Sequence, residues 1–332
     1  MSAPAYELSP CPACGAAGDE QVADADALRE EVEALWAFHT ARLDPATPPE
    51  RLVDRVAFSQ RAPIRLARCT ACGLLFRNPK ERARELHDTY AGEAPDEAVL
   101  RALFETQRDA YAAQARRLTE TAGRTGRGLE VGSYVGGFLA AADALGWRFE
   151  GLDVNAAASR FARSLGHPVT EGDLESFADP GPFDAVAAWN CFDQLPDPRA
   201  AARRAHALLG PGGVLAVRVP NGAFYAAVRE RLHGPGAPLA RALLAHNNLL
   251  AFPYRHGFTP RSLRLLLERA GFTVERTYGD TLVPIADEWT QPWAAWEERV
   301  VKGALRLLAG DEAERAPWME VYARKRSAGR GS

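Results

Sequence analysis

The sequence lacks any long uninterrupted apolar run, although 47% of its 332 residues are hydrophobic. A transmembrane helix needs about 20 mostly apolar residues, so we expect no membrane span. The N-terminus, MSAPAYELSPCPAC, also lacks the basic and then apolar form of a signal peptide, which predicts a cytoplasmic protein. A net charge of −3 provides no global field that attracts nucleic acid. These absences favour an ordinary globular enzyme. The length of the chain is sufficient for two domains.

Cysteine is scarce, with 5 residues, but its placement is informative. Cys11-Pro-Ala-Cys14-Gly and Cys69-Thr-Ala-Cys72-Gly have the same form, and the glycine after each pair allows a tight turn. In a reducing compartment such pairs are typical of a tetrahedral zinc site rather than of disulfides. Four protein ligands close the coordination sphere, so this zinc is expected to hold the fold and perform no chemistry. The remaining Cys191 is expected to be a small apolar filler, with a nucleophilic role as the less frequent alternative.

A long insertion separates the two cysteine pairs. Residues 25–43, ADALREEVEALWAFHTARL, place apolar side chains at helical spacing, and Asp26 can cap the start of this helix. Residues 61–68 are predicted to return as a strand. We expect the helix to pack on the zinc ribbon, with a lid or a dimer element as the alternative.

The dinucleotide fingerprint Gly-x-Gly-x-x-Gly is also absent, because Tyr134 stands in the place of the second glycine. Residues 128–153, GLEVGSYVGGFLAAADALGWRFEGLD, nevertheless predict a strand, a glycine turn, a helix and a second strand. Asp153 ends that second strand. Ligands of open α/β sheets bind at the carboxyl ends of the strands, where an acidic side chain can accept hydrogen bonds from ribose hydroxyls. This stretch therefore predicts a nucleotide-binding crossover.

Four further segments follow in order: GHPVTEGDLESF (166–177), GPFDAVAAWNCFDQLPDP (181–198), ALLGPGGVLAVRVPN (207–221) and HGFTPRSLRLLLERAGFTVERTY (256–278). This series resembles the class I S-adenosylmethionine-dependent methyltransferases over roughly residues 127–325. The CGL-x-F-x-N-P segment at 72–79 is similar to that of their zinc-ribbon members. The resemblance implies an α/β fold with a Rossmann-like, doubly wound seven-stranded sheet of order 3-2-1-4-5-7-6. It also implies an antiparallel last strand, an N-terminal zinc ribbon and a helical cap.

The domain boundaries follow from these assignments. We expect a zinc-ribbon domain with a helical insertion over 1–90, a helical cap and linker over 91–126, the methyltransferase domain over 127–326 and a disordered tail over 327–332. The sheet strands are predicted at 128–132, 149–153, 168–171, 183–190, 213–219, 272–278 and 319–325. An additional helix over 292–309 carries Trp293 and Trp296, whose helical spacing predicts core packing.

The resemblance also assigns an S-adenosylmethionine site. The first motif lies under the methionine and ribose parts of the cofactor, an acid binds the ribose, and a later loop meets the adenine. For the adenine-site carboxylate, ordinary capping of a loop is the alternative. The expected cofactor residues are Glu130, Gly132 and Gly136 of the first motif, Asp153 at the ribose, Asp173 and Leu174 at the adenine, and Asn190 beside the reactive methyl group.

Methyl transfer needs little beyond alignment of the acceptor, the methyl group and the leaving sulfur, so a base is required only for an acceptor that starts protonated. Many relatives have Glu-His where this chain has Asp193-Gln194. A histidine has a suitable pKa for a base. We therefore expect the catalytic candidates to be His256 and Tyr254, from the variable stretch 221–258, with Asp193 next.

The predicted function is methyl transfer to a small molecule such as a sugar nucleotide, a glycan or a natural-product intermediate. A non-catalytic cofactor-binding scaffold is one alternative, suggested by Tyr134 and the missing Glu-His. An RNA methyltransferase is another, although interleaved acids and a missing aromatic platform weaken it. Its support is a group of basic residues near the cysteine pairs: Arg61, Arg65, Arg68, Arg77, Lys80, Arg82 and Arg84. Nucleic acid is thus not the expected partner, and the oligomeric state stays open.

Overall fold

The structure is a computed structural model that describes residues 6–48, 64–82, 96–179, 181–252, 254–283, 286–309 and 312–326. The predicted tail over 327–332 lies outside the described residues, as do Arg61 and Arg84.

The strands are β1 (Tyr6–Glu7), β2 (Asp19–Asp24), β3 (Arg65–Cys69), β4 (Leu75–Arg77), β5 (Lys80–Glu81), β6 (Arg127–Val131), β7 (Arg148–Asp153), β8 (Val169–Glu171), β9 (Phe183–Trp189), β10 (Leu209–Pro220), β11 (His256–Gly257), β12 (Phe272–Asp280) and β13 (Trp318–Lys325). The helices are α1 (Ala25–Thr40), α2 (Glu97–Ala110), α3 (Ala112–Ala122), α4 (Gly137–Asp143), α5 (Ala156–Ser164), α6 (Pro198–Leu208), α7 (Gly222–Arg229), α8 (Ala237–Ala245), α9 (Pro260–Arg269) and α10 (Pro292–Ala309), with a short 3₁₀ turn at Ala313–Arg315.

A seven-stranded sheet forms the centre of the molecule, in the order β12-β13-β10-β9-β6-β7-β8. When its strands are renumbered 1 to 7 along the chain, this is the predicted order 3-2-1-4-5-7-6. Strand β13 runs antiparallel to both β10 and β12, while β10, β9, β6, β7 and β8 are parallel. The predicted α/β fold class is confirmed, and every predicted sheet strand is present with ends shifted by a few residues.

The central strands are buried on both faces, as expected for a sheet covered by helices. Along β9, FDAVAAW, alternate side chains enter two different cores. Val186 packs in the core that also holds Leu129 and Leu215, whereas Ala187 and Trp189 pack in the core on the other face. The carboxyl ends of these strands therefore come together at one edge, above a rigid apolar base.

The cysteine-bearing segment is built into the methyltransferase part. Strands β2, β3 and β4 form a sheet whose fourth strand, β11, comes from far along the chain. In that pairing His256 lies opposite Phe76 in antiparallel register. Cys11 and Cys72 share one apolar core with Phe258. The N-terminal segment is thus held both by backbone pairing and by common packing.

Helix α1 confirms the predicted insertion helix, but the identity of its cap was wrong. The carboxylate of Asp24 accepts the backbone N–H of Ala27 at 2.9 Å and closes the first turn. Asp26 lies two residues later, inside the first turn, and pairs with Arg29 instead. A capping side chain must precede the first helical residue, which explains the difference.

Helix α1 packs on the strands of the cysteine-bearing sheet, as expected, and also against a second partner. Its buried Glu31 accepts hydrogen bonds from the Tyr225 hydroxyl at 3.1 Å, from Arg229 Nε at 2.7 Å and from the Ala251 N–H at 2.9 Å. Its apolar face shares a core with α7, α8 and residues 249–252. The helix therefore covers the segment 221–258 as well as contacting β2.

Helix α10 has the predicted bounds, but the expectation for its tryptophans was wrong. Trp293 is 48% exposed and Trp296 is 64% exposed. The inner face of the helix is instead taken by a buried ion pair between Lys302 and Glu298, with an N–O distance of 2.5 Å. Among the helices of the described ranges, none combines the length and the apolar character that a membrane crossing needs.

Candidate cofactor site and cysteine cluster

The four cysteines of the CxxC pairs converge on one point. Their sulfur atoms all lie within 4.8 Å of one another. The Sγ–Sγ distance is 3.6 Å for Cys11 and Cys72, and 3.5 Å for Cys14 and Cys69. Tetrahedral ligation with Zn–S bonds of about 2.3 Å puts sulfur atoms about 3.8 Å apart. All four thiols are free, so the arrangement is compatible with zinc and is not a disulfide framework.

Both cysteine turns have the same backbone geometry. Gly15 donates its N–H to Cys11 O at 2.9 Å, and Gly73 donates to Cys69 O at 2.9 Å. Both glycines have φ of +79°, in the left-handed region. A side chain at either position would be strained there, so the glycine of each CxxCG motif is a backbone requirement.

The turn after β6 carries the predicted glycine geometry. Gly132 and Gly136 have φ of +73° and +81°, and Gly136 leads into α4. A Cβ atom on Gly132 would lie 2.7 Å from Cys191 Sγ, which is too close for any side chain. The glycine turn is therefore pressed against the turn that follows β9.

Tyr134 occupies the position of the missing glycine in a left-handed conformation, with φ of +44°. Such a conformation costs free energy for a residue with a side chain, and the surroundings must hold it. The Asp153 Oδ2 atom accepts the Tyr134 N–H at 2.8 Å. The Tyr134 ring packs against the cluster of Leu100 and Phe104 on α2. The tyrosine thus joins the glycine turn to the helical cap.

Asp153 lies at the carboxyl end of β7 as predicted. Its Oδ1 atom accepts the Asn155 N–H at 2.8 Å, while Oδ2 serves Tyr134. The side chain is nearly buried, and burial raises the pKa of Asp153 against the opposing effect of these two amides. Each oxygen keeps a second lone pair for a ligand.

The predicted adenine-site residues lie on the neighbouring loop. Asp173 is exposed, and its Oδ1 accepts both the N–H and the hydroxyl of Ser176 at 2.8 Å. The Leu174 side chain packs in the core beside Phe177. Asp173 therefore caps its turn, as the alternative hypothesis predicted. An adenine contact of Asp173 or Leu174 stays a prediction.

Glu130 is the buried acid of the first motif. It is 2% exposed, and within the described residues its Oε2 atom has no hydrogen-bond partner. Burial, and then the nearby Asp153, raises the pKa of Glu130 well above its ordinary value. A buried polar atom without a partner is costly in a folded protein. The atom therefore marks a place that a donor group of a ligand can fill.

Asn190 belongs to a network that the motifs did not reveal. Arg218, only 3% exposed, donates from Nη1 to Asn190 Oδ1 at 2.5 Å and from Nε to Asp280 Oδ2 at 2.6 Å. It also donates from Nη2 to Thr281 O at 3.1 Å, and its guanidinium carbon lies 4.6 Å from the centre of the Trp318 ring. One charged residue within the apolar strand VLAVRVP was the available signal in the sequence.

Tyr111 reaches the same network from the helical cap. It lies between α2 and α3, and its hydroxyl accepts a hydrogen bond from Asn190 Nδ2 at 3.4 Å. Its ring packs edge-on to Phe138 at 5.9 Å and lies 6.3 Å from the Trp189 ring. The sequence analysis predicted a helical cap over 91–126 but assigned no role to Tyr111.

The catalytic candidates Asp193 and His256 are neighbours in the fold. The backbone N–H of His256 donates a hydrogen bond to the backbone carbonyl of Asp193 at 3.0 Å. Asp193 is fully buried, and within the described residues neither carboxylate oxygen has a partner. His256 Nε2 lies 3.0 Å from Leu195 O, an acceptor, so Nε2 carries the proton and Nδ1 keeps its lone pair. Burial, and then Arg255, lowers the pKa of His256 to about 3, which keeps the ring neutral.

Tyr254, the third candidate, lies in different surroundings. Its hydroxyl accepts a hydrogen bond from Asn248 Nδ2 at 3.0 Å, and its ring packs edge-on to Trp318 at 5.5 Å. The residue is 7% exposed and belongs to the core beneath α1. These contacts are those of a packing residue.

The sheet order and the polar groups at its carboxyl edge define the Rossmann-like methyltransferase class. A family model described as a methyltransferase domain matches residues 99–277, more than half of the chain, and the chain belongs to this family. The resemblance to methyltransferases is thereby confirmed. No curated protein matches the sequence significantly.

Two solved structures illustrate the similarity. A SAM dependent methyltransferase from Archaeoglobus fulgidus is 18% identical with a TM-score of 0.44, over 66% of this chain and 94% of that chain. The plantazolicin methyltransferase BpumL, in complex with SAH, is 14% identical with a TM-score of 0.46, over 74% of this chain and 95% of that chain.

The buried Asp193 carboxyl predicts a pH dependence of stability. Burial raises its pKa from 3.8 to about 8, so the folded state keeps a proton that the unfolded chain releases. The stability from this group is complete below about pH 4 and is lost as the pH rises to about 8. The buried neutral His256 has the opposite effect. Its contribution to stability is present above about pH 6.5 and is lost as the pH falls towards 3.

Asp193→Asn removes the ionisation but keeps the shape of the side chain. Between pH 6.5 and 8 the free energy of unfolding should fall less in this variant than in the wild type, by about 1–2 kcal/mol. Urea unfolding at both pH values measures the difference. Asp143→Asn, at an exposed position, is the matched control. An identical pH response of the wild type and Asp193→Asn would contradict the burial of an ionisable acid here.

Proposed function

We propose that the protein is an S-adenosylmethionine-dependent methyltransferase that acts on a small-molecule acceptor. The observation that carries this proposal is the set of polar groups at the carboxyl ends of three parallel strands. Glu130 lies one residue before the end of β6, Asp153 ends β7 and Asn190 follows β9, all beside the glycine turn. Ligands of such sheets bind at this edge. Membership of the methyltransferase family supports the same conclusion.

The residues present fit the cofactor. The unpartnered Oε2 of Glu130 suits the ammonium of the methionine part, and the remaining lone pairs of Asp153 suit the ribose hydroxyls. The turn at Gly132 and Gly136 lets the backbone approach the part of the cofactor that lies between its ammonium and its ribose. The bound cofactor would supply an electrophilic methyl group on a sulfonium. The protein's own contribution is to bind, to orient and to exclude water.

A small acceptor is favoured over RNA by the ion pairs around the cysteine turns. Arg65 pairs with Asp19 at 2.6 Å, Arg68 with Glu20 at 2.5 Å and Arg77 with Glu81 at 2.6 Å. A guanidinium already engaged by a carboxylate is a poor phosphate ligand. We propose a sugar nucleotide, a glycan or a natural-product intermediate as the acceptor, selected by the helical cap and the segment 221–258.

For an acceptor that starts protonated, we propose His256 as the base, through its unpartnered Nδ1. Its neutral state at pH 7 leaves the lone pair available, although a low pKa limits its strength. Asp193 and Tyr254 are the next candidates. Alignment of the reacting groups supplies the larger share of the rate.

His256→Ala should lower the rate of the chemical step by about 10²-fold, the lower end for general-base catalysis, with cofactor affinity almost unchanged. Single-turnover kinetics with an accepted substrate measures the rate, and calorimetry measures the affinity. His233→Ala, at an exposed position in the same segment, is the control. Unchanged turnover in His256→Ala would leave catalysis to alignment or to another group.

The cofactor proposal predicts that S-adenosylhomocysteine binds to the purified protein. Asp153→Ala should weaken this binding by about 1.5–3 kcal/mol, the size of hydrogen bonds to a charged group. Isothermal titration calorimetry gives both values, and Asp143→Ala serves as an exposed acidic control. Equal affinity of Asp153→Ala and the wild type would remove Asp153 from the ribose site. Tight binding of NADH instead would overturn the cofactor assignment.

We also propose a structural zinc ion at Cys11, Cys14, Cys69 and Cys72. The support is the convergence of four sulfur atoms, three of them from buried residues, in the core that the cysteine turns share with the methyltransferase part. The metal would be held by protein ligands alone, so its role is to stabilise the fold.

Purified protein should therefore contain about one zinc ion per chain, because four thiolates bind a single tetrahedral ion. Cys69→Ser should lose the metal and unfold at a lower temperature, since structural zinc contributes folding free energy. Cys191→Ser lies outside the cluster and should retain the metal. Elemental analysis of protein prepared without chelators measures the content, and its absence from the wild type would refute the site.

A further inference from the structure

A buried arginine gives direction to a chain of hydrogen bonds at the edge of the sheet. Arginine carries donors and no acceptor, so the Asn190 oxygen must face Arg218 Nη1, at 2.5 Å. The Asn190 amide nitrogen then faces the Tyr111 hydroxyl, at 3.4 Å, and donates to it. The reverse orientation of the amide would place its N–H groups against those of the guanidinium. The chemistry of Arg218 therefore decides the assignment of Asn190.

The last group in this series of hydrogen bonds is the Tyr111 hydroxyl, which has a hydrogen left to donate. The Tyr111 oxygen is used as an acceptor, so the hydroxyl hydrogen is available for another group. In the described ranges no acceptor is bonded to that hydrogen. Tyr111 is half-buried as a residue. Burial, and then Glu130, raises the pKa of Tyr111, which keeps the phenol protonated.

A complementary acceptor lies on the neighbouring strand. Glu130 pairs in register with Ala187 of β9, which lies three positions before Asn190. Its buried Oε2 has no partner within the described part of the chain. One unpartnered acceptor and one available donor thus face the same edge. An α-amino acid group, with an ammonium beside a carboxylate, has the matching pair of charges.

We infer that Tyr111 is a positioning residue whose hydroxyl donates a hydrogen bond to the carboxylate of the cofactor's amino-acid end, while Glu130 receives the ammonium. The inference rests on the proposed function, because it assumes S-adenosylmethionine as the cofactor. Tyr111 lies at the junction of α2 and α3, so this bond ties the helical cap to the bound cofactor. The cap is then held over the reacting methyl group from the sheet side by Arg218 and Asn190.

The test compares two ligands that differ at the amino-acid end. S-adenosylhomocysteine carries this end, whereas 5′-methylthioadenosine lacks it. In Tyr111→Phe the ring is kept, so its packing against Phe138 and Trp189 is preserved. By calorimetry, Tyr111→Phe should bind S-adenosylhomocysteine about 10–100-fold more weakly than the wild type, as expected for a lost hydrogen bond to a charged group. Its affinity for 5′-methylthioadenosine should not change.

Asn190→Asp provides an independent check. A carboxylate at this position accepts from Arg218 and also from the Tyr111 hydroxyl, so it captures the hydrogen that the amide leaves free. This variant should lose affinity for S-adenosylhomocysteine selectively, as Tyr111→Phe does. Undiminished binding of S-adenosylhomocysteine by Tyr111→Phe, or an equal loss for both ligands, would overturn the inference alone. A wild-type protein that binds neither ligand would overturn the proposed function and the inference together.

Discussion

The buried positive charge of Arg218 is the constraint on which the functional edge of the sheet depends. A guanidinium removed from water must have its donors satisfied. Here Asp280 of the edge strand, Asn190 of the turn after β9 and a backbone carbonyl supply the acceptors, and the Trp318 ring covers one face. These partners come from separate parts of the chain, so satisfying a single charge also orders the turn, the edge strand and, through Asn190, the cap.

The cysteine-bearing segment is coupled to this edge by backbone pairing. His256 pairs with Phe76 of β4 and donates its N–H to the carbonyl of Asp193. His256 therefore connects the sheet beside the cysteine cluster with the turn after β9. On this account a metal at the cluster stabilises the wall of the reaction site without contacting any substrate.

Local patterns were sufficient to predict most of the fold from the sequence. Apolar periodicity gave the strands and helices, and the family motifs gave the sheet order, because each depends on neighbouring residues or on a well-populated architecture. The link between Tyr111, Asn190 and Arg218 was missed because it joins residues far apart in the chain. The exposure of Trp293 and Trp296 was missed for a related reason. Helical spacing identifies a face but not its partner, and the inner face of α10 was already filled by the Lys302–Glu298 pair.

A crystal structure of the protein with S-adenosylhomocysteine tests the central claim most directly, because it shows which groups the carboxyl edge offers to a ligand. We predict ribose hydroxyls on Asp153, and an amino-acid end between Glu130 and the hydroxyl of Tyr111. We also predict that Asn190 keeps the orientation imposed by Arg218. A nucleoside bound away from the ends of β6 and β7, or a Tyr111 hydroxyl bonded to Glu130 with the ligand elsewhere, would contradict it.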